Sequence, residues 1–295
     1  MRVSSDMGDE SVPARITLLL KQTPPVPVEA ESINPESVTA KGRREIEDLP
    51  LWVGNSQERV GDYFRVEVEE TEGRRDEDND RLATLLLVGD LSRFKRLGWG
   101  MSRGEMLIQG TVGPHAGAFM RGGTLVIQGQ AGDWLGAHME GGKILVQGSA
   151  GNFVGAAYRG YKTGMKGGTI IIRDGAGQML GARMRRGVIA VGGDCGDFAG
   201  FGMAAGTVVV GGTPGLWVGA RMKRGTIILL QPGELLPTFY FDCTFAPLFW
   251  RLLYNYLHQE GFSLPPSCRE MNFKRFSGDA NEEGKGEILV CPSLD

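Results

Sequence analysis

The feature that most constrains this chain is a unit of 19 residues that recurs six times between residues 105 and 225. Successive units start at Glu105, Thr124, Lys143, Thr169, Val188 and Thr207. The interval from Lys143 to Thr169 is 26 residues, and we assign the seven additional residues to an insert near residues 160–166. A degenerate copy begins at Leu85, and an apolar run from Thr226 follows the array. A period of this length indicates a solenoid, in which each repeat forms one structural turn.

Each unit begins with a short apolar run, often β-branched, such as TLVI at 124–127, and this composition predicts a strand. The pattern G-x-x-G-x-x-x-G follows. Its glycines are Gly110, Gly113, Gly117, Gly129, Gly132, Gly136, Gly148, Gly151, Gly155, Gly193, Gly196, Gly200, Gly212, Gly215 and Gly219. The unit from Thr169 has Asp174 in the first position, followed by Gly177 and Gly181. Glycine tolerates positive φ and close backbone approach, so these positions are predicted to form tight corners.

Short strands separated by glycine corners predict a β-helix whose coils stack about 4.8 Å apart. One coil is too thin to bury its own apolar face, so it is stable only against its neighbours. A methionine recurs at one phase of the repeat, which we interpret as a row inside the core: Met120, Met139, Met184, Met203 and Met222. We therefore predict a mostly β protein, a single-stranded β-helix of roughly seven turns with a small N-terminal α+β region and a C-terminal capping helix.

The predicted organisation has three segments, covering residues 1–84, 85–231 and 232–295. In the first, residues 16–20 and 63–68 are expected to be strands, Asn34 and Pro35 indicate a helix start, and the charged run 69–80 is expected to be a solvated loop. The second segment is the repeat array. In the third, helical spacing over 246–260 predicts a helix that ends at Gly261 and caps the open end of the β-helix. Residues 284–290 are predicted to form a closing strand.

Composition argues against several protein classes. A net charge of −3 does not favour nucleic-acid binding. Residues 1–13 lack the apolar core of a signal peptide, and no apolar run approaches the roughly 20 residues of a membrane span. The four cysteines are scattered without a C-x-x-C pair and are expected to be reduced thiols. These observations predict a cytoplasmic protein without nucleic-acid or membrane partners.

Residues able to perform chemistry are sparse. The histidines are His115, His138 and His258. No Cys, His and Asp cluster has zinc-ligand spacing, and neither a nucleophile elbow nor a phosphate-binding loop occurs. Asp194, Cys195 and Asp197 combine a thiol with carboxylates, but they occupy a glycine corner, where a structural turn is the favoured interpretation. We expect no catalytic residue, metal site or cofactor site in this chain, and an enzyme that uses these three residues stays an alternative.

Basic residues recur just after the methionine positions. We name as the basic ridge Arg121, Arg159, Lys166, Arg185, Arg186, Lys223 and Arg224. Equivalent positions of successive coils align in space, so these side chains are expected to follow one edge, interrupted by Glu140 and by Ala204 and Ala205. The ridge either binds an acidic carrier or partner surface, or keeps the solenoid soluble and its edges unpaired.

The repeats resemble the β-helical C-terminal domain of the glutamate synthase large subunit. Over residues 16–290 the chain resembles more specifically the C subunit of formylmethanofuran dehydrogenase and the C subunit of the bacterial formyltransferase/hydrolase complex. The resemblance is carried by LPL at 49–51, GN at 54–55, VGDYF at 60–64, the repeat array, Arg275, the pair Gly278 and Asp279, and GKGEILV at 284–290. Because the repeats are shared by all these families, the flanking motifs favour the two C subunits.

The resemblance implies a structural subunit without a catalytic centre that packs against amidohydrolase-like and formyltransferase subunits. It implies a methanofuran-type carrier, handled by the complex during tetrahydromethanopterin-linked formaldehyde oxidation. If the complex is instead the dehydrogenase, a molybdenum or tungsten pterin belongs to a partner subunit. A glutamate-synthase-like module is the further alternative. The sequence leaves open the type of complex, the carrier, the partner interfaces, the stoichiometry and the direction of flux.

Overall fold

The structure is a computed structural model that describes residues 13–39, 41–70 and 82–292. Its strands are β1 Pro13–Leu20, β2 Val28–Glu29, β3 Pro50–Val53, β4 Ser56–Arg59, β5 Phe64–Glu70, β6 Thr84–Val88, β7 Phe94–Lys95, β8 Glu105–Gln109, β9 Thr124–Ile127, β10 Lys143–Val146, β11 Thr169–Ile172, β12 Val188–Val191, β13 Thr207–Val210, β14 Arg224–Leu229, β15 Tyr240–Phe245, β16 Phe273–Gly278 and β17 Lys285–Val290. The helices are α1 Pro35–Val38, α2 Arg43–Glu47, α3 Val60–Tyr63 and α4 Leu248–Gln259, with a 3-10 helix at Pro266–Glu270.

The protein is mostly β, and its strands form one sheet of 13 in the order β15-β16-β17-β14-β13-β12-β11-β10-β9-β8-β6-β1-β5 and a second of four, β4-β3-β2-β7. Strands from successive repeats pair in parallel and in register, so that Thr124 pairs with Lys143 and Lys143 with Thr169. Two further rows of backbone hydrogen bonds link successive units. Single parallel bridges join Val112, Ala131 and Ala150, and backbone bonds such as Glu140 N–H to Met120 C=O follow the methionine positions. This large parallel sheet is consistent with a β-helix-like fold.

The methionine row lies inside the core, as predicted: each of the five side chains is 0% exposed. Met101 and Met165 join it and are equally buried. The backbone places them in register, because Arg121 N–H donates to Met101 C=O and Arg185 N–H donates to Met165 C=O.

Met165 also corrects the position of the insert. Met165 N–H donates to Gly155 C=O, as Met139 N–H donates to Gly136 C=O one coil earlier. Ala157 N–H donates to Ala182 C=O, the bond that Phe119 makes with Ala137. The additional seven residues are therefore 158–164, so Met165 and Lys166 belong to the regular coil rather than to the insert.

Two N-terminal strands, β1 and β5, extend the large sheet. β1 pairs antiparallel with β5 and parallel with β6, the strand of the degenerate repeat. Helix α1 begins where the sequence predicted, because the Asn34 side chain accepts a hydrogen bond from Ser37 N–H and Pro35 occupies the first turn. The predicted loop 69–80 is wrong at its first two residues, because Glu69 and Glu70 belong to β5, and residues 71–80 lie outside the described residues.

Helix α4 forms where predicted, but its expected role as a cap on the open end is wrong. Trp250, Tyr254 and Leu257 pack against the outward side chains of the sheet, among them Ile171 and Val209. These strands are apolar at both alternating positions because one side faces the interior core and the other faces α4. At the C-terminal end, the sheet continues into β17, which pairs in parallel with β14. The buried ring of Phe239 packs on the interior core beside Gly219.

Candidate functional site

All seven residues of the basic ridge are exposed. Four of the ridge residues are aligned, because the backbone N–H of each donates to the carbonyl of a core methionine in the preceding coil. These bonds join Arg121 to Met101, Lys166 to Met139, Arg185 to Met165 and Lys223 to Met203. Glu140 and Ala204 occupy the same phase, so the alignment contains the two interruptions expected from the sequence. Arg159 lies apart from this line because it belongs to the insert.

Acidic residues neutralise part of the ridge. Glu140 accepts from Lys166 Nζ at 2.7 Å and lies 3.9 Å from Arg121 Nε, and the hydrogen bond from Lys166 holds the pKa of Glu140 below its ordinary value. At the C-terminal end of the ridge, Glu282 lies 3.9 Å from Lys223, and Glu283 lies 3.9 Å from Arg224. No ion pair is seen between any described residue and Arg159, Arg185 or Arg186. Within the basic ridge, these three residues therefore carry the positive charges that are available to an acidic ligand.

The structure gives Asp194, Cys195 and Asp197 structural partners. Oδ1 of Asp194 accepts from Thr213 N–H at 2.6 Å, and Oδ1 of Asp197 accepts from Leu216 N–H at 2.8 Å, so both carboxylates bind the next coil. The Cys195 side chain is buried, and burial raises the pKa of its thiol to about 11. A thiol with such a pKa is protonated at neutral pH, which makes it a poor nucleophile.

Sequence reasoning missed a row of aromatic side chains two residues after the second glycine of the unit. We name as the aromatic row His115, Trp134, Phe153, Phe198 and Trp217. All five have left-handed backbone, with φ between 58° and 66°, which turns their rings to one side of the coils. Trp134 stacks on Phe153 at 4.2 Å between centroids, and Phe198 stacks on Trp217 at 4.8 Å. Met179 stands at the same phase between the two stacks. The recurrence of aromatic residues at one offset was the signal available in the sequence.

The insert 158–164 folds over this row and is held there by two histidines. The backbone N–H of Tyr158 donates to Nε2 of His138 at 2.8 Å, and the Tyr158 hydroxyl lies 2.8 Å from Nδ1 of His115. Burial lowers the pKa of both imidazoles and raises the pKa of the Tyr158 hydroxyl. At neutral pH both histidines are therefore uncharged, which leaves Nε2 of His138 free to accept.

The insert and the aromatic row enclose an open cavity of about 760 Å³, which we name the groove. It is lined by Trp134, Phe153, Ala157, Tyr158, Arg159, Gly160, Gln178, Met179, Ala182, Arg183, Phe198 and Phe201. The lining contains two arginines and no acidic residue. Arg183 donates to the Tyr161 backbone carbonyl at 2.8 Å, so one of the two guanidinium groups is oriented by the insert. The groove combines aromatic surface with positive charge.

Two properties of the described residues bear on other kinds of site. Within 13–39, 41–70 and 82–292, no group of three or more His, Cys, Asp or Glu side chains could hold a metal ion. No helix in those ranges is both long and apolar enough to span a bilayer.

Comparison with known proteins places the fold in a family. The GXGXG motif family matches residues 80–239 of the 295, more than half of the chain. The C subunit of tungsten-containing formylmethanofuran dehydrogenase 2 from Methanothermobacter marburgensis is 35% identical over 105 residues, which cover 36% of this chain and 37% of that protein. The C subunit of molybdenum-containing formylmethanofuran dehydrogenase 1 from Methanosarcina barkeri is 38% identical over 103 residues, covering 35% and 32%. These matches thus span about a third of the length of the curated relatives.

A solved structure matches over a longer range. It is a chain of the formyltransferase/hydrolase complex (FhcABCD) from Methylorubrum extorquens, whose crystal structure was determined in complex with methylofuran. The match has a TM-score of 0.85 and 34% identity, and it covers 94% of this chain and 100% of that one. The chain therefore belongs to the GXGXG family, as a homologue of the C subunits of formylmethanofuran dehydrogenases and of a chain of the formyltransferase/hydrolase complex.

Proposed function

We propose that this chain is a non-catalytic structural subunit of a cytoplasmic complex that handles formyl groups on a methanofuran-type carrier. The observation that carries the proposal is the similarity to a chain of the formyltransferase/hydrolase complex, which extends over 94% of this chain and the whole of that one. The curated dehydrogenase subunits match over about a third of their length. The longer match favours the formyltransferase/hydrolase type of complex, which acts in tetrahydromethanopterin-linked formaldehyde oxidation.

Exposed apolar side chains support a role in assembly. On α4, Leu248 is 75% exposed and Leu252 is 69% exposed. On β15, the edge strand of the large sheet, Tyr240 is 63% exposed and Phe241 is 58% exposed. Clustered apolar surface and an uncovered sheet edge are typical of contact surfaces between proteins. We expect amidohydrolase-like and formyltransferase subunits to be the partners.

The finer architecture belongs to the same proposal. We infer a single-stranded β-helix of roughly seven turns with corners at the G-x-x-G-x-x-x-G positions, divided from the flanks near residues 84 and 231. Left-handed φ values of 61° at Gly117 and 59° at Gly136 support glycine corners. A stack of this kind offers long lateral surfaces on which several subunits can be arranged.

The direct test is purification of the tagged full-length chain from its native cell, followed by mass spectrometry and metal analysis. Co-purification with formyltransferase and amidohydrolase-like subunits, without molybdenum or tungsten, is the expected result. If the chain is isolated alone, the structural-subunit proposal is overturned.

The second candidate is the C subunit of a molybdenum or tungsten formylmethanofuran dehydrogenase, favoured by the 35% and 38% identities to those subunits. The same purification separates the two, because the dehydrogenase would bring a molybdenum or tungsten subunit and iron–sulfur proteins. A glutamate-synthase-like module would instead co-purify with amidotransferase activity.

We also propose that the basic ridge contacts the carrier or an acidic partner surface. Arg185 and Arg186 support this, because both are exposed and lack an acidic partner among the described residues. Two adjacent guanidinium groups suit carboxylates, which they bind in a bidentate geometry.

A further inference from the structure

The groove has the composition of the centre of a protein–protein interface. Such centres are enriched in Tyr, Trp, Phe, Met and Arg and depleted in Lys, Glu and Asp. Six of the twelve lining residues are aromatic or methionine and two are arginine, whereas Lys, Asp and Glu are missing from the lining. The stacked aromatic surface continues beyond the groove to Trp217, which is 44% exposed beside the equally exposed Leu216.

The aromatic row is interrupted in the middle of the groove. Trp134 and Phe153 form one stack, Phe198 and Trp217 form the other, and Met179 lies between Phe153 and Phe198. Phe153 and Phe198 are two coils apart, or about 10 Å at the spacing of paired strands, so one layer separates the two stacks, and in it Met179 stands where the other coils carry a ring. Methionine is flexible and polarizable, and it adapts to an aromatic ring placed against it.

The positive charge of the groove indicates a second property of the group that binds there. Arg159 and Arg183 are both exposed at the groove, and no acidic side chain in the lining neutralises them. The chain as a whole carries a net charge of −3, so this cationic lining is a local feature. An arginine at the rim of an apolar cavity favours a carboxylate next to the group that enters the cavity.

We propose that the groove docks an aromatic side chain, flanked by an acidic residue, from another polypeptide of the complex. This rests on the proposed function, because it takes the partner to be a member of the same assembly. The ring completes the aromatic row over Met179, and the carboxylate pairs with Arg159 and Arg183. The preformed row and the anchored insert require little rearrangement, so the entropic cost of docking is small.

The experiment is photocrosslinking from inside the groove in the intact complex. A photoreactive benzoylphenylalanine replaces Gln178, an exposed lining residue, in the full-length chain expressed in its native cell. After irradiation, the expected crosslink joins a partner polypeptide at a segment with an aromatic residue next to an acidic one. A crosslink to a second copy of this chain, to a small molecule or to a segment without that pair overturns the proposal, as does the absence of any crosslink.

Two variants test the ring and the charge separately. Met179→Phe fills the interruption, and its left-handed φ of 61° is tolerated because Phe153 and Phe198 adopt 64° and 62°. Arg159→Glu reverses a charge that has no ion pair among the described residues. Each is expected to lower the crosslink yield by more than about tenfold, the effect of losing a central contact. The control Lys162→Glu lies on the exposed insert outside the lining and should retain the yield, and equal yields in all variants would contradict the proposal.

The set of polypeptides in the unirradiated sample separates this proposal from the proposed function. A complex that contains the formyltransferase and amidohydrolase-like subunits but gives no crosslink from position 178 refutes the docking site alone. A crosslink to a polypeptide of a different kind of assembly refutes the proposed function and, with it, the assignment of the docked partner.

Discussion

The backbone N–H of Tyr158 donates a 2.8 Å hydrogen bond to Nε2 of His138 in the preceding coil. His138 is 2% exposed, and its ring stacks on Phe119 at 4.8 Å between centroids. The Tyr158 hydroxyl lies 2.8 Å from Nδ1 of His115. The first residue of the insert is thus fixed at its backbone and at its side chain, which holds one wall of the groove in place.

Replacement of His138 by phenylalanine should release the insert while keeping the coil. Phe119 adopts a φ of 57° at the equivalent position, close to the 56° of His138, so the backbone accepts the substitution. Loss of the acceptor leaves Tyr158 N–H unpaired and should lower the free energy of unfolding by about 1–2 kcal/mol. Urea denaturation measures this loss, and limited trypsin digestion should cleave faster after Arg159 and Lys162. The control His258→Phe, on the exposed side of α4, should leave both measurements unchanged.

Buried His138 and half-buried His115 should make stability depend on pH. Burial lowers their pKa below the ordinary 6.5, so the unfolded chain binds more protons than the folded chain as pH falls through that value. Stability should therefore be retained above pH 6.5 and decline below it, until the folded-state pKa is reached. Urea midpoints between pH 5 and pH 8 would show the decline, which should be smaller in His138→Phe. An identical pH profile for the two proteins would contradict this assignment.

Two seven-residue deletions test whether the insert is 158–164 or 160–166. Removal of 158–164 joins Ala157 to Met165 and restores both the period of 19 and the buried methionine. Removal of 160–166 restores the period too, but it places Tyr158 in the methionine row, whose members are 0% exposed. A buried hydroxyl without a partner and the added volume should cost about 2 kcal/mol or more relative to the first deletion. Thermal unfolding of both deletions tests this, and equal stabilities would contradict the corrected placement.

Alanine at Gly122 and at Gly160 should separate crowding between coils from backbone strain. A Cβ at Gly122 would lie 2.1 Å from the backbone oxygen of Ser102 in the neighbouring coil. A Cβ at Gly160 would have no atom within 4 Å, although the φ of this residue is 89°. Gly122→Ala should destabilise by more than about 3 kcal/mol, because the coils must move apart. Gly160→Ala should cost about 1–2 kcal/mol from its left-handed backbone alone, and the reverse order would refute close coil stacking at Gly122.

Charge reversal at Arg185 and Arg186 tests the basic ridge. Arg185→Glu combined with Arg186→Glu should raise KM for the carrier severalfold in the assembled complex and leave kcat unchanged. The thermal midpoint should stay constant, since neither side chain has an ion pair among the described residues and exposed substitutions change stability by about 0.5 kcal/mol or less. Arg44→Glu, an exposed reversal on α2, is the control. If both KM and assembly are unchanged, the ridge does not bind the carrier or a partner.

Much of the architecture could be predicted because the repeat is local. The period of 19 and its apolar runs located the strands, the recurring methionines located one row of the core, and Asn34 with Pro35 located the start of α1. In each case, neighbouring residues carry the whole signal. The flanking motifs also favoured the C subunits, and the similarity to those subunits and to a chain of the formyltransferase/hydrolase complex confirms that resemblance.

Tertiary structure decided what neighbouring residues could not. An insert at 158–164 and an insert at 160–166 are both compatible with the period of 19 residues. The packing of Met165 beside the equivalent methionines shows that 158–164 is the insert. The amphipathic pattern of α4 predicts a buried side but not its partner, which proved to be the outer face around Ile171 and Val209. The groove required the coils to be stacked, because Phe153 and Phe198 are 45 residues apart in sequence and become neighbours of Met179 only when the chain has turned twice. Sequence periodicity thus determined the fold of each repeat, whereas contacts between distant residues determined its surfaces.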